Sequence, residues 1–271
     1  MNYIQKITRF TPGEMTSWEE LQFHISRYSF AEPFARDKVV LDIACGSGHG
    51  SHYLSKKGAK MVIGGDISQD AIDYADDRFK SERIKFGLMD ATKLPFADNY
   101  FDTIISMETI EHTSRYESFL SECKRVLKDG GTFMCSTPNR EIISPGLKKP
   151  LHQPHMQEFS VTEFKSLLDR YFMDIIIYGI GHQSKQRVFM RRLKLMVELA
   201  IGGGKGKELM DSMISHTFSL LPSFRRVKVD SLQELDYEAT LKEQYKPYRL
   251  LEMKNNLNLS TIAVCTARKS V

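Results

Sequence analysis

Apolar runs alternate with amphipathic stretches along most of the chain. Short β-branched runs, such as KVVLDIA and AKMVIGGD, are each followed by a stretch with helical spacing of its apolar residues, such as HGSHYLSKKG and SQDAIDYADDRFK. Strands that are apolar throughout are typical of a parallel sheet that helices cover on both faces. The pattern therefore predicts an α/β protein with a doubly wound, mostly parallel sheet.

The same alternation divides the chain into four segments. Trp18, Leu21, Ile25 and Tyr28 recur at helical spacing and predict a helix ahead of the first strand. Later, the stretch RVFMRRLKLMVELAIGGGKGKELMDSMISHTFSLL interrupts the strand–helix rhythm. The predicted segments are an N-terminal helical segment (1–37), a core (38–182), a helical insertion that acts as a lid or interface (183–255) and a last strand of the core (256–271).

Composition and charge narrow the class of protein. The chain has 271 residues, of which 41% are hydrophobic and 27% charged, and its formal net charge is +4. This composition is typical of a globular protein, and so mild a charge argues against a nucleic-acid partner. The four cysteines form no CxxC pair, which favours a reduced compartment. Because no apolar run reaches membrane-spanning length, we expect a soluble cytoplasmic protein without a membrane span.

A glycine-rich turn follows the first core strand, in the stretch LDIACGSGHG at residues 41–50. Such turns bind dinucleotides, nucleoside triphosphates or S-adenosylmethionine, and each ligand implies different chemistry. The glycines are Gly46, Gly48 and Gly50, so the third comes one position earlier than in the dinucleotide fingerprint GxGxxG. The chain has no P-loop motif, which argues against a kinase or ATPase of that class.

Three carboxylates narrow the choice of ligand. Asp42, Asp66 and Asp90 close three successive predicted strands, and Asp66 lies about twenty positions after Gly46, where an acidic residue can accept both hydroxyls of a ribose. Two carboxylates beside a pyrophosphate would repel it, whereas a cofactor with a sulfonium and an ammonium group is attracted by them. The carboxylates therefore favour S-adenosylmethionine.

At this point the chain resembles the class I S-adenosylmethionine-dependent methyltransferases, in particular their small-molecule, type 11-like branch. The matching segments are VLDIACGSGHG, GGDIS, MDATKLPFADNYFDTIISMETIEH and RVLKDGGTFMCSTPN, and the later HMQEFSVTEFKSLL is also similar. The resemblance covers about residues 38–139 and implies a Rossmann-like, seven-stranded sheet, S-adenosylmethionine as cofactor and methyl transfer as activity. The resemblance does not extend to the 183–255 block, so it implies nothing about the acceptor there.

The resemblance also implies roles for single residues. The methionyl part of the cofactor would contact Asp42, Ala44, Gly46 and Gly48. The ribose and adenine would contact Asp66, Ile67, Asp90 and Ala91. The methyl donor would be bordered by Met107 and Glu108, and the first helix would bring Arg27 and Tyr28 over the cofactor. Each position also has a purely structural interpretation, such as a tight turn at the glycines or a helix cap at Asp66.

The loop LHQPHMQEF offers candidate catalytic residues. It follows the fifth core strand and opens over the same end of the sheet, so His155, or less readily His152, could accept a proton from a hydroxyl or amine acceptor. His112 more simply lines the pocket or caps a loop. The spacing of His152 and His155 is only a weak zinc motif, and we predict no metal site.

Several functions remain compatible with the sequence. The favoured one is methylation of a small-molecule acceptor, for which O-methylation is the first hypothesis. The alternatives are an RNA or protein methyltransferase that uses the basic insertion, a non-catalytic binding protein of the same fold, and a dehydrogenase. The amphipathic segments at 1–37 and 183–255 could also support a homo-oligomer.

Overall fold

The computed structural model describes residues 15–144, 146–147, 150, 154–182, 226–228, 248–249 and 258–267. The helices are α1 (Trp18–Ala35), α2 (His49–Lys56), α3 (Gln69–Phe79), α4 (Tyr116–Val126), α5 (Arg140–Ile143) and α6 (Val161–Leu168), with a 3-10 helix at Ile110–His112. The strands are β1 (Met15–Ser17), β2 (Val39–Ile43), β3 (Met61–Asp66), β4 (Ile84–Leu88), β5 (Phe101–Met107), β6 (Leu127–Pro138), β7 (Met173–His182), β8 (Arg226–Lys228), β9 (Tyr248–Arg249) and β10 (Asn258–Thr266).

One large sheet organises the described part of the chain. Its seven long strands follow the order β4-β3-β2-β5-β6-β10-β7, and the two-residue β9 extends the edge beyond β7. Strands β2 to β6 are parallel, whereas β10 is antiparallel to both of its neighbours. This arrangement confirms the predicted Rossmann-like class. The strand order reverses at β2, since β3 and β4 lie on one side of it whereas β5 and β6 lie on the other. Ligands of such sheets bind in the crevice at this switch point, between β2 and β5.

The core has two layers, one on each face of the sheet. Phe133 of β6 is buried in one layer with Phe119 of α4 and Phe164 of α6. The next residue, Met134, points to the opposite face, where it is buried with α1 and α2. Because neighbouring strand residues alternate between faces, a continuous apolar run such as the middle of β6 supplies both layers.

The first helix is held against the core by a close contact with α2. A Cβ atom at Gly50 would lie 1.9 Å from the ring of Tyr28, so only glycine leaves room for this ring. Tyr28 is 4% exposed and belongs to the buried layer on that face. The third glycine of the turn therefore serves the packing of α1 on α2.

Helix α4 ends earlier than the sequence suggested. The pattern SRYESFLSECKRVLKDGG predicted a helix that reaches the Gly130–Gly131 pair, but α4 ends at Val126 and β6 begins at once. Leu127 is already extended and pairs with Phe101 of β5. Parallel pairing with β5 therefore takes precedence over the helical propensity of this stretch.

The predicted insertion contributes two short extended pieces. Strand β8 pairs with β1, and β9 pairs with the edge strand β7. The helices that the sequence predicted for this block lie outside the described residues. Among the residues that the structure does describe, no helix is both long and apolar enough to cross a bilayer.

Candidate active site

A cavity of about 460 Å³ lies at the carboxyl ends of β2, β3, β4 and β5. Most of the residues that the sequence proposed for the cofactor line it: Arg27, Tyr28, Ala44, Gly46, Asp66, Ile67, Asp90, Ala91, Met107 and Glu108. Three proposed residues, Asp42, Gly48 and His155, are not part of the wall that the described residues form. His152 lies outside the described residues.

The turn after β2 has a backbone that favours glycine. Ala44, Gly46 and Gly48 have φ angles of 62°, 56° and 80°, in the left-handed region. A Cβ at Gly46 would meet no atom within 4 Å, so this residue borders open space in the cavity. A Cβ at Gly48 would instead lie 2.8 Å from Ala75, so Gly48 serves the start of α2 and its packing on α3.

Asp66 is the last residue of β3, and its side chain binds two backbone segments beside the cavity. Its carboxylate accepts hydrogen bonds from the backbone N–H of Gly46 at 3.0 Å and of Ser68 at 2.9 Å. The cap of α3 is the hydroxyl of Ser68 and not Asp66, so the helix-cap interpretation of this carboxylate does not describe the structure. Each carboxylate oxygen can accept a further hydrogen bond, which leaves Asp66 able to bind hydroxyls in the cavity.

Asp42 lies behind the cavity wall and is fully buried. Its carboxylate accepts from Ser51 Oγ at 2.6 Å and from the hydroxyl of Tyr28 at 3.1 Å. Burial raises the pKa of Asp42 to about 6, although both hydrogen bonds lower it. Asp42 therefore joins α1, β2 and α2 beneath the glycine turn.

The far end of the cavity is more open to solvent. Asp90 accepts from Thr92 Oγ1 at 2.7 Å and from Arg115 at 2.9 Å. The hydrogen bonds from Thr92, and then the guanidinium of Arg115, lower the pKa of Asp90. Ile67 lies on the same part of the wall with 68% of its surface exposed. An exposed apolar side chain beside a carboxylate is suited to a flat, partly polar ring.

Helix α1 reaches the cavity through an ion pair with the end of β5. Arg27 lies 3.1 Å from the carboxylate of Glu108, and both side chains are largely buried. Glu108 has a φ of 52°, and its other oxygen accepts from Ser136 Oγ at 2.8 Å. The pair therefore holds α1 against the β5 turn that borders the middle of the cavity.

A cluster of two histidines and two glutamates adjoins the cavity at the end of the 3-10 helix. His112 lines the cavity, and its ring packs against that of His155 with 5.0 Å between centroids. His155 Nδ1 lies 2.8 Å from Glu158 Oε1, and Glu111 Oε1 lies 3.9 Å from His112 Nε2. We call these four residues the histidine cluster.

The two glutamates of the histidine cluster are almost completely buried. Burial, and then the charge of Glu108, raise the pKa of Glu111 well above its usual range. Within the described part of the chain, Glu111 Oε1 and Glu158 Oε2 have no hydrogen-bond partner. The sequence patterns pointed to neither glutamate, although Glu111 stands beside His112 in the motif ETIEH.

Comparisons with known proteins agree with this geometry. Residues 41–135 match a family model described as a methyltransferase domain. A probable S-adenosylmethionine-dependent methyltransferase of Mycobacterium tuberculosis is 34% identical over 161 residues, which cover 59% of this chain and 58% of that protein. A fatty-acid O-methyltransferase of Mycolicibacterium smegmatis is 29% identical over 144 residues, which cover 50% and 53% of the two chains. The chain therefore spans somewhat more than half the length of these relatives.

A solved structure shows the same fold over most of the chain. An S-adenosylmethionine-dependent methyltransferase from Thermotoga maritima superposes with a TM-score of 0.57 at 16% identity, over 92% of each chain. Together with the order of the sheet, this shows that the chain has the class I methyltransferase fold, within which residues 41–135 match a methyltransferase domain. The resemblance inferred from the sequence motifs is confirmed.

Proposed function

We propose that this protein transfers a methyl group from S-adenosylmethionine to an oxygen of a small-molecule acceptor. The single observation that carries the proposal is the joint exposure of Gly46, Asp66 and Asp90 on one cavity. These residues offer open backbone, a buried carboxylate and a solvent-side carboxylate, which match an amino-acid moiety, a ribose and an adenine amino group. Relatives that match this chain are a probable S-adenosylmethionine-dependent methyltransferase and a fatty-acid O-methyltransferase.

The cofactor would lie across the cavity with its adenosine toward β3 and β4. Asp66 would accept the ribose hydroxyls, Ile67 would pack on the adenine, and Asp90 would accept from the adenine amino group beside Ala91. The methionyl part would lie against Ala44 and Gly46. Asp42 and Gly48 would support that turn from behind, since neither reaches the cavity wall of the described residues.

The methyl group would then point toward Met107, Glu108 and the histidine cluster. In the reaction the acceptor oxygen forms a bond to the methyl carbon, the C–S bond breaks, and its electron pair stays on sulfur. The hydroxyl proton must leave as the new bond forms. Positioning supplies much of the rate, because the sulfonium is already a good electrophile.

We propose that the proton of the acceptor is removed at the histidine cluster. His155 was the leading candidate base, and its bond to the buried Glu158 would orient the ring. His155 packs against His112, and His112 lines the cavity. His155 therefore acts on the acceptor together with His112.

We also propose a class of acceptor, a role for the 183–255 block and a cellular compartment. The similarity to a fatty-acid O-methyltransferase supports a small organic acceptor. The 183–255 block would cover the acceptor side of the cavity or join a second copy of the chain. The four buried, free cysteines support work in the cytoplasm.

Calorimetric titration tests the cofactor. We expect S-adenosylmethionine and S-adenosylhomocysteine to bind and NAD not to bind, because the carboxylates of Asp66 and Asp90 would repel a pyrophosphate. Binding of NAD without any response to S-adenosylhomocysteine would refute the proposal. A methyl-transfer screen with labelled cofactor, across hydroxyl, amine and carbon acceptors, then tests the acceptor class. Cofactor binding without turnover on any class would favour a non-catalytic role.

A further inference from the structure

We propose that Glu111, His112 and His155 bind one divalent transition-metal ion at the wall of the cavity. In the part of the chain that the structure describes, these are the residues whose donor atoms form such a group, and all three atoms lie within 4.8 Å of one another. A metal ion bound about 2.1 Å from each donor needs the donors about 3–4 Å apart. The side chains therefore have to close only slightly.

The buried carboxylate of Glu111 is the first argument for a ligand. One of its oxygens accepts from Thr137 Oγ1 at 3.0 Å, while Oε1 has no hydrogen-bond partner among the described residues and faces His112. A buried polar atom without a partner costs stability unless something binds it. A cation between Glu111 and His112 would satisfy this oxygen.

The outer contacts of His155 are the second argument. Its Nδ1 lies 2.8 Å from the buried Glu158. Because a carboxylate accepts hydrogen bonds, Nδ1–H would donate to Glu158 in the proposed site and Nε2 would ligate the ion. A histidine ligand whose other nitrogen donates to a carboxylate is the usual arrangement at metal centres, because it fixes the ring and makes the ligating nitrogen more basic. The histidine cluster contains this arrangement.

The donor set indicates the class of ion. Two imidazoles and one carboxylate suit Zn²⁺, Fe²⁺, Co²⁺ or Mn²⁺ better than Mg²⁺ or Ca²⁺, which prefer oxygen ligands. Three protein ligands also leave coordination positions open, as at catalytic metal centres. The proposed ion differs from the sequence-based prediction, which was that the protein has no metal site.

The open coordination positions of the ion would face the cavity, because its ligand His112 lines the cavity wall. This part of the inference rests on the proposed function: an acceptor hydroxyl bound to the ion would lose its proton more readily to water in the cavity, because the cation stabilises the alkoxide or phenolate. With the ion bound, His112 and His155 would act as its ligands and not as the base. The favoured acceptor is then a molecule whose hydroxyl can ligate a metal, for example one with a second oxygen on the neighbouring carbon.

Titration with Co²⁺ tests the site in the absence of any acceptor. The full chain is treated with a chelator, dialysed and titrated with Co²⁺ while heat and visible absorption are recorded. We expect one Co²⁺ per chain. We also expect Glu111→Gln and His112→Asn to weaken binding by more than about 100-fold, and Glu158→Gln by about 10–100-fold. His52→Asn, a half-buried histidine of α2 outside the cluster, is the matched control and should bind as the parent does.

Circular dichroism shows whether each variant folds, and His112→Asn removes a partly exposed ligand if Glu111→Gln does not fold. The proposal is overturned if the parent binds no stoichiometric Co²⁺, or if folded His112→Asn binds it as tightly as the parent. A parallel titration with S-adenosylhomocysteine separates the two proposals. Cofactor binding without metal binding refutes the metal site alone, whereas metal binding without cofactor binding refutes the proposed function alone.

Discussion

The two ends of the cavity differ in how their polar groups are satisfied. At the cofactor end, Asp66 accepts from two backbone N–H groups, and Asp90 accepts from Thr92 and Arg115. At the acceptor end, Glu111 and Glu158 are buried, and each has an oxygen without a hydrogen-bond partner within the described residues. Both ends carry carboxylates, but only the buried glutamates of the acceptor end have oxygens without a hydrogen-bond partner among the described residues.

This difference separates two kinds of binding site. The cofactor end is preorganised, since the backbone that holds Asp66 is the same backbone that the cofactor would contact. The acceptor end carries a local instability, because buried carboxylate oxygens without partners are costly. Such costs persist where a ligand or a reaction uses them. We therefore propose chemistry at the histidine cluster and recognition at Asp66 and Asp90, and the predictions below test that division.

The largest expected effect is at the acceptor end. His155→Ala should lower turnover by about 10²–10⁴-fold, because the acceptor proton loses the group that removes it or the ion that activates it. The dissociation constant for S-adenosylhomocysteine should change little, since His155 is not on the described cavity wall. Rates are measured on the acceptor that the screen identifies, with His152→Ala as the neighbouring control and a smaller effect expected. Full turnover in His155→Ala would move the chemistry away from the histidine cluster.

At the cofactor end the expected effect is on binding. Asp66→Ala removes the acceptor of the ribose hydroxyls and of two backbone N–H groups, and unpaired buried groups cost about 1–3 kcal/mol. Affinity for S-adenosylhomocysteine should fall by about one to two decades in calorimetry. Asp70→Ala, an exposed carboxylate in the first turn of α3, is the control. An unchanged dissociation constant in Asp66→Ala would make the carboxylate purely structural.

Behind the cavity, the pH dependence of stability reports on Asp42. Its pKa is about 6 in the folded protein against an ordinary value of 3.8, so the folded state holds the proton more tightly and loses stability as pH rises from about 4 to 6. Asp42→Asn removes that ionisation and should gain, relative to the parent, on the order of 2 kcal/mol between pH 4 and pH 7. Thermal unfolding at several pH values measures it.

Asp102 provides a control of opposite sign for that experiment. Lys128 and the backbone N–H of Val39 bond its carboxylate and lower its pKa, so its contribution to stability is present above the ordinary pKa and is lost in acid. The difference between parent and Asp102→Asn should therefore shrink as the pH falls. If Asp42→Asn follows the same trend as Asp102→Asn, the carboxylate of Asp42 is stabilised and not penalised by its surroundings.

The smallest expected effect is at the solvent side of the cofactor end. Arg115 and Asp90 form a largely exposed ion pair, and such pairs contribute about 0–1 kcal/mol. Arg115→Gln should therefore weaken S-adenosylhomocysteine binding by less than about fivefold, and the effect should fade at high salt. A loss of tenfold or more would show that Arg115 contacts the cofactor directly.

Sequence patterns predicted the residues of the cofactor end of the cavity, but not the histidine cluster at the acceptor end. Gly46, Asp66 and Asp90 follow directly from strand ends and local spacing, so the sheet topology alone brings them together. The histidine cluster depends on a distant loop: Gln157 donates to the carbonyl oxygens of Ile110 and Thr113 and holds that loop against the 3-10 helix. No local pattern encodes these contacts. The same holds for Asp42, whose direction is set by Ser51 and Tyr28 on two other elements.

The position of β10 has a consequence for synthesis on the ribosome. All the described residues that line the cavity precede α6 in the chain, as do the parallel strands β2 to β6. The long strand that pairs with β7, however, is β10, which lies between β6 and β7 in the sheet. Strand β10 follows in the chain only after the 183–255 block. A nascent chain can therefore form the part of the cavity wall that the described residues supply while β6 and β7 still expose unpaired edges. Until β10 is made, those edges are the part of the molecule most open to aggregation or to a chaperone.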